Sequence, residues 1–340
     1  MGFEIQTPSG IRRIGKGEKV FVVAEIGINH NGSVSTAIDM VREARKAGAD
    51  AVKLQSFRAE KLLSIENDPE LFEMFKSWEL SFEDQEKVFR EAEKEGLVYF
   101  STPFDEESAM FLKEAGVPMI KVASGDLTNL PFLSFLADLK LPLVVSTGAA
   151  KFSEVAAAVE LLKEKKADFI LLHCVSSYPA ETEELNLRAI PVMKKAFGMD
   201  VGFSDHTFGI LASVAAVALG AVMIEKHFTL SRDLPGPDQS FSLEPFMFQE
   251  FVRAIRDTEV SLGDGFKKPS EHEKLVGYLG RRSLALKNDK KAGEEITEDD
   301  ITYLRPATGI PPYLNSKVVG FRVKRNMKKG EILKWEHLKP

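Results

Sequence analysis

Short apolar runs alternate with amphipathic stretches along most of the chain. The runs are VFVVAEI (20–26), AVKLQ (51–55), LVYFS (97–101), PMIKVAS (118–124), PLVVST (142–147), DFILLHC (168–174), DVGFSD (200–205) and AVMIEKHF (221–228). Each is brief, rich in β-branched or aromatic residues and nearly continuous, the mark of a strand buried on both faces. Helical periodicity fills the intervals at 34–47, 82–95, 105–115, 129–139, 153–165, 186–197, 209–219 and 244–261. Ser81 with Asp84 and Gln85, and Ser153 before Glu154, signal helix starts. Gly48, Gly96, Gly116 and Gly220 signal ends. Eight strand–helix units in succession predict an α/β fold, a (β/α)₈ TIM barrel with right-handed crossovers. The rival, an open doubly wound sheet, wants a Gly-x-Gly-x-x-Gly turn after its first strand, and none follows residue 26.

Residues 3–18 read as a hairpin turning at Pro8-Ser9-Gly10, placed to plug the bottom of the barrel. The alternation stops near residue 265. The expected organisation is a catalytic barrel over 1–265, a charged linker over 266–280 and a small β-rich module over 281–340. Within the tail, KKAGEEITEDDI (290–301) and MKKGEILKWEHL (327–338) share glycine, glutamate and a final aliphatic in register, which predicts a pseudo-symmetric pair.

Composition narrows the class. The 340 residues are 44% hydrophobic and 28% charged, ordinary for a globular protein, and the net charge of −6 argues against nucleic acid or an anionic membrane as a partner. The single cysteine, Cys174, has no internal partner for a disulfide and reads as inert packing, which fits a cytoplasmic location. No apolar leader opens the chain. The charge-free stretch 207–224 reads as a buried helix running into a buried strand rather than a membrane span.

Polar residues recur at the carboxyl ends of the predicted strands, where barrel active sites lie. These are Glu25, Lys53 and Gln55, Thr102, Lys121 and Ser124, Ser146 and Thr147, His173 and Tyr178, Asp205 and His206, and Glu225 and His227. A barrel core built only for stability wants Val, Ile and Leu there, so one such residue means little and eight converging ends mean a site. His206 and His227 end adjacent strands, and Glu225, two residues before His227, points the same way. Two histidines, a carboxylate and open positions suit Mn²⁺, Fe²⁺, Co²⁺ or Zn²⁺; an isolated histidine would read as a hydrogen-bonded core residue. Lys53, Lys121, Thr102, Ser124 and Ser146 form a cationic, hydroxyl-rich set that suits a phosphate or carboxylate dianion.

In chain order, AEIGINHNG (24–32), VKLQ (52–55), STPFD (101–105), KVASGD (121–126), STG (146–148), LHCVSSYPA (172–180), GFSDHT (202–207), EKHFTL (225–230) and GPD (236–238) resemble the motifs of the sialic acid synthase family. That family includes legionaminic and pseudaminic acid synthases and spore-coat polysaccharide relatives. The tail, with LRPATGI (304–310), resembles its antifreeze-like (SAF) domain. The resemblance implies condensation of phosphoenolpyruvate with N-acetylmannosamine or a related acetamido sugar, giving a nonulosonic acid and phosphate. It implies a divalent metal on His206 and His227, Mn²⁺ first, with Mg²⁺ or Co²⁺ as alternatives. Glu25 matches the acidic residue at the reacting centre, and Lys53, Lys121 and Glu225 are expected to join it as catalytic residues. Lys121, Ser124 and Ser146 match phosphoenolpyruvate-binding positions with Thr102 and Lys53 beside them, and Gln55, Phe104, Tyr178, Glu225 and Asp238 match sugar-facing or supporting positions. Arg305 matches an arginine that the SAF domain inserts into the partner subunit's barrel, which implies a domain-swapped homodimer. Ser176, grouped with the substrate-binding residues, stands where bacterial N-acetylneuraminate synthases often carry asparagine. Residues 57–78 do not match the expected sugar-contacting loop, so the sugar stays open between the family's members.

Three other readings compete. A phosphoenolpyruvate synthase making a shorter sugar acid shares the barrel but lacks the tail. A metal-dependent aldolase or epimerase leaves the phosphate-type set unused. A glycan- or ice-binding protein would need a flat, Thr-rich face, and this tail is rich in Lys and Glu instead.

Overall fold

The computed structural model describes residues 2–340. Strands β1 (Phe3–Thr7) and β2 (Gly10–Ile14) form an antiparallel hairpin. Eight strands follow: β3 (Phe21–Gly27), β4 (Ala51–Ser56), β5 (Val98–Pro103), β6 (Ile120–Val122), β7 (Leu143–Ser146), β8 (Phe169–Cys174), β9 (Val201–Asp205) and β10 (Met223–His227). Each pairs in parallel with the next and β10 closes onto β3, so the TIM barrel expected from the alternation is the fold found. The helices after the strands are α1 (Val34–Lys46), α2 (Ala59–Leu62), α3 (Pro69–Trp78), α4 (Phe82–Lys94), α5 (Glu106–Glu114), α6 (Leu130–Asp138), α7 (Phe152–Glu164), α8 (Ala189–Phe197), α9 (Leu211–Ala218) and α10 (Pro245–Leu262).

Local chemistry explains these elements. The Ser81 hydroxyl accepts the Asp84 N–H at 3.1 Å and starts α4, whose Val88, Phe89 and Ala92 are buried. The hairpin adds Phe3, Ile5 and Ile14 to the barrel's apolar cluster. It is tied to the amino-terminal ends of two strands by Arg12 on Asp50 (2.7 Å) and the Lys16 N–H on Asp200 (3.1 Å). That is the bottom of the barrel, as expected. The stretch 207–224 is α9 leading into β10, and no helix among the described residues is long and apolar enough to cross a membrane.

Two segments differ from expectation. Residues 57–78, left without elements, fold as α2 and α3; Asp68 caps α3 by accepting the Leu71 N–H at 2.9 Å, with Pro69 in its first turn. Contacts divide the chain after Gly263, and most of the expected linker is a helix, α11 (Glu271–Gly280). Ser270 and Glu273 form a capping box at its start, a signal hidden inside a charged run.

The second unit, from Asp264, carries β11 (Ser283–Leu286), β12 (Ile301–Leu304), β13 (Arg322–Val323) and β14 (Leu338–Lys339) around Leu284, Leu286, Ile296, Val318, Val323 and Leu333. The repeat is real. Gly293 and Gly330 turn at φ 88° and 82°, and each is followed by a glutamate, Glu294 or Glu331, that accepts a backbone N–H from Lys291 or Lys328. The two copies meet at the antiparallel bridge Lys290–Met327, and the first copy also bridges to β13 through Glu295–Arg322. Arg305 lies in this unit, exposed, directly after β12.

Candidate active site

Side chains alternate along a strand, and in-register parallel neighbours point to the same face. Glu25 pairs with Lys53, Gln55 with Thr102, and His227 with Glu25, so all of these share the barrel's interior. Lys53 Nζ lies 2.8 Å from Glu25 Oε2 and 3.7 Å from Glu225 Oε2, and donates to Thr102 Oγ1 at 2.9 Å. Gln55 reaches Glu25 Oε1 at 3.4 Å. Lys121 donates to Ser146 Oγ at 2.6 Å and stands 4.0 Å from Glu225 Oε1. Both lysines and both glutamates are buried.

Buried charges survive only when paired and hydrogen-bonded. Burial drives Glu225 upward, but Lys121 and Lys53 on either side, with the Ser204 hydroxyl at 2.8 Å, outweigh it and hold it ionised. Glu25 has the weaker hand: burial, with Glu225 adding to it, pushes its carboxyl up to about 7 against the pull of Lys53. Burial lowers Lys121, while for Lys53 the two carboxylates overcome burial and raise it. The lumen therefore holds one firmly ionised carboxylate and one poised near neutrality, the separation that acid–base chemistry uses.

Beside the lysines, Ser124 Oγ accepts the Gly148 N–H at 3.0 Å. A Cβ at Gly148 would overlap Ser176 Oγ and stand 2.8 Å from Ser124 Oγ, so the backbone approaches here only because the residue is glycine. Cys174 is buried, as expected, but on the lumen side, 3.5 Å from Ser124 Oγ and 4.0 Å from His206 Nδ1. It is part of the site wall rather than remote packing.

The rings of His206 and His227 lie 5.5 Å apart between centroids. Tyr178 covers His206 at 4.3 Å and Phe241 meets His227 at 5.0 Å. His206 Nδ1 sits 2.8 Å from the Val175 carbonyl, which can only accept; Nδ1 therefore carries the proton and Nε2 keeps a lone pair for a ligand. His227 Nδ1 is buried without a hydrogen-bond partner, 3.5 Å from Asp238 Oδ2. Burial pushes the Asp238 carboxyl up to about 6. A buried unpartnered imidazole nitrogen beside a second imidazole whose Nε2 meets only the Ser204 hydroxyl, at 3.4 Å, fits a divalent ion. Among the described residues no group of three His, Cys, Asp or Glu side chains assembles a cage, so the protein would supply two ligands.

Some expectations need correction. Glu225 Oε1 accepts from the Ser204 hydroxyl at 2.8 Å, while Oε2, 3.7 Å from Lys53 Nζ, is buried without a hydrogen-bond partner. His173 and Asp205 face away from the lumen. His173 bonds the Leu185 carbonyl at 2.7 Å and stacks on Phe203. Asp205 pairs with Lys226 at 3.1 Å, both completely buried. Phe104 packs edge-on against Phe57, and Phe57 against Phe75 of α3, so the unmatched segment builds an aromatic wall after β4 and β5. Ser204, Lys226 and Phe241 escaped the sequence reading. Ser204 was findable, because it precedes His206 by two residues as Glu225 precedes His227; Phe241 lies in a loop with no periodicity.

A closed barrel with paired lysines and glutamates, a histidine pair and a hydroxyl-lined turn at its carboxyl end defines a TIM-barrel enzyme. Residues 40–267 match the NeuB family and residues 281–339 the SAF domain, and the chain belongs to the NeuB family. It is 42% identical to N,N'-diacetyllegionaminic acid synthase of Legionella pneumophila, over 97% of this chain and 98% of that one. It is 33% identical to human N-acetylneuraminate-9-phosphate synthase, over 95% and 93% of the two chains. Among solved structures, N-acetylneuraminic acid (sialic acid) synthetase from Leptospira borgpetersenii, in complex with citrate, superposes with a TM-score of 0.76 at 36% identity, over 81% of this chain and 95% of that one.

Proposed function

We propose that this enzyme condenses phosphoenolpyruvate with an acetamido sugar aldehyde to give a nonulosonic acid and inorganic phosphate. The observation that carries the reading is the division of the lumen: lysines and hydroxyls on one side of Glu25, and the histidine pair with Tyr178 and Asp238 on the other. The higher identity to the N,N'-diacetyllegionaminic acid synthase than to the human enzyme, 42% against 33%, favours a sugar with two acetamido groups over N-acetylmannosamine.

Lys121 with Ser146, and Ser124 with the Gly148 turn, hold the phosphate. Lys53, bridging Glu25 and Thr102, fixes the carboxylate side of the enol. The enol carbon attacks the sugar aldehyde, and positive charge develops at the phosphate-bearing carbon facing Glu25, whose ionised form stabilises it. Water adds at that carbon, and the tetrahedral hemiketal phosphate collapses with cleavage of its C–O bond, releasing phosphate to the lysine and hydroxyls. Glu225 keeps both lysines charged and aimed. Asp238 and Gln55 orient the sugar, with Tyr178 covering it against water. A divalent ion, Mn²⁺ with Mg²⁺ or Co²⁺ as alternatives, held by His206 and His227 would supply Lewis-acid polarisation of the aldehyde oxygen. In this reading Arg305 of a second copy reaches the acetamido group across a homodimer.

Phosphate release from phosphoenolpyruvate, followed over a panel of mono- and diacetamido sugars, tests the proposal. Release that depends on an acetamido sugar is expected. Release without any sugar, or none with every sugar, refutes it.

A further inference from the structure

The segment Asn29-His30-Asn31-Gly32 turns from β3 into α1, and the mechanism above uses none of it. We infer that Asn29 is a positioning residue that holds Asp238 against His227, and so sets how the sugar is gripped. The inference rests on the reading of Asp238 as a sugar-facing group.

Asn29 is completely buried. Its Nδ2 donates to the carbonyl of Phe228, the residue directly after His227, at 2.9 Å, and to Ser242 Oγ at 3.0 Å. The Ser242 hydroxyl in turn donates to the Asp238 carbonyl at 2.5 Å. One amide group thus staples both ends of the loop 228–242, and the second bond is relayed to Asp238 itself. Gln239, the next residue, reaches back to the Asn29 carbonyl at 3.4 Å and to Asn31 Oδ1 at 3.3 Å. The loop rims are closed by the Thr229 N–H on Leu243 and the Leu243 N–H on His227, the latter at 2.9 Å.

The chemistry leaves no freedom in how this amide is oriented. A carbonyl accepts only, so the NH₂ end of Asn29 must face Phe228, and Oδ1 is left buried without a hydrogen-bond partner. An orphaned buried oxygen is destabilising. A leucine would fill the same space without it, so what asparagine contributes here is its two donors. Both donors go to the loop that carries Asp238 and Phe241, the groups that contact His227. No side-chain bond of Asn29 goes to the lysines or to the hydroxyl set.

The test uses the full chain with Asn29→Leu, Asn29→Asp, Asp238→Asn and the double variant Asn29→Leu/Asp238→Asn, each checked for a cooperative melt. Loss of a buried hydrogen-bonded staple should raise KM for the acetamido sugar about tenfold or more while KM for phosphoenolpyruvate stays within about twofold. Because Asn29 acts through Asp238, the double variant should be no worse than Asp238→Asn alone. Equal rises in both KM values, a sugar KM unchanged in both Asn29 variants, or additive losses in the double variant would overturn the inference. If the wild type turns over no acetamido sugar, the proposed reaction fails on its own, and amide hydrogen exchange then judges the staple. Faster exchange across 229–241 in Asn29→Leu, with β6 unchanged, supports it; unchanged exchange in that loop rejects it.

Discussion

Lys226→Met should lower the melting temperature of the barrel by about 6–12 °C. Lys226 and Asp205 are both fully buried outside the lumen, with Nζ 3.1 Å from Oδ1 and 2.5 Å from the Thr207 carbonyl. Removing the ammonium leaves a carboxylate in the interior. Breaking one side of a buried ion pair costs about 3–5 kcal/mol. Asp205 keeps three other donors, the Thr207 N–H at 2.9 Å, the Thr207 hydroxyl at 2.7 Å and the Ser213 hydroxyl at 2.5 Å, which hold the loss to the lower end. About 3 kcal/mol, at about 2–4 °C per kcal/mol for a unit of this size, gives the stated shift. The paired variant Asp205→Asn/Lys226→Met removes both charges while Asn still accepts from Thr207, and should recover more than half of the loss. Calorimetry or circular dichroism melts at neutral pH provide the measurement. A single variant that melts with the wild type, or a double variant no better than the single, would show that the pair is not held as described. Since Asp205 and Lys226 directly precede His206 and His227, the single variant should also weaken Mn²⁺ binding.

Three further outcomes are expected. With Glu25 pushed up to about 7 and needed as the carboxylate, kcat/KM should climb as pH rises through that value, and the rising limb should vanish in Glu25→Gln; a limb that persists assigns it elsewhere. A chelator should abolish turnover and Mn²⁺, Co²⁺ or Mg²⁺ restore it, while His206→Ala and His227→Ala keep the fold and lose Mn²⁺ binding; full activity in rigorously metal-free buffer would remove the ion from the mechanism. Arg305→Ala and Glu25→Ala, each nearly inactive, should recover about a quarter of wild-type activity when mixed and reassembled, because a mixed dimer owns one intact site of two; mixtures as dead as their parents would place the arginine in its own subunit or outside the site.

The barrel was legible in the linear chain, because a strand buried on both faces and a helix buried on one write different periods, and eight repetitions leave no other closed arrangement. So was the shared face of Glu225 and His227, since alternation needs only local backbone geometry. Membership of the lumen was another matter. Asp205 and His206 are neighbours, as are Lys226 and His227, and each neighbour faces the opposite side; which parity points inward is set by the packing of the sheet against its helices. His173 and Asp205 were misassigned for that reason. The helices at 69–78 and 271–280 carried caps but no place in the repeating strand–helix order, so their signals went unused. Asn29 and Asp238 are 209 positions apart, and nothing in either neighbourhood encodes that the last strand closes onto the first. Barrel closure makes them neighbours, and long-range contacts of that kind exist only once the eight strands have met.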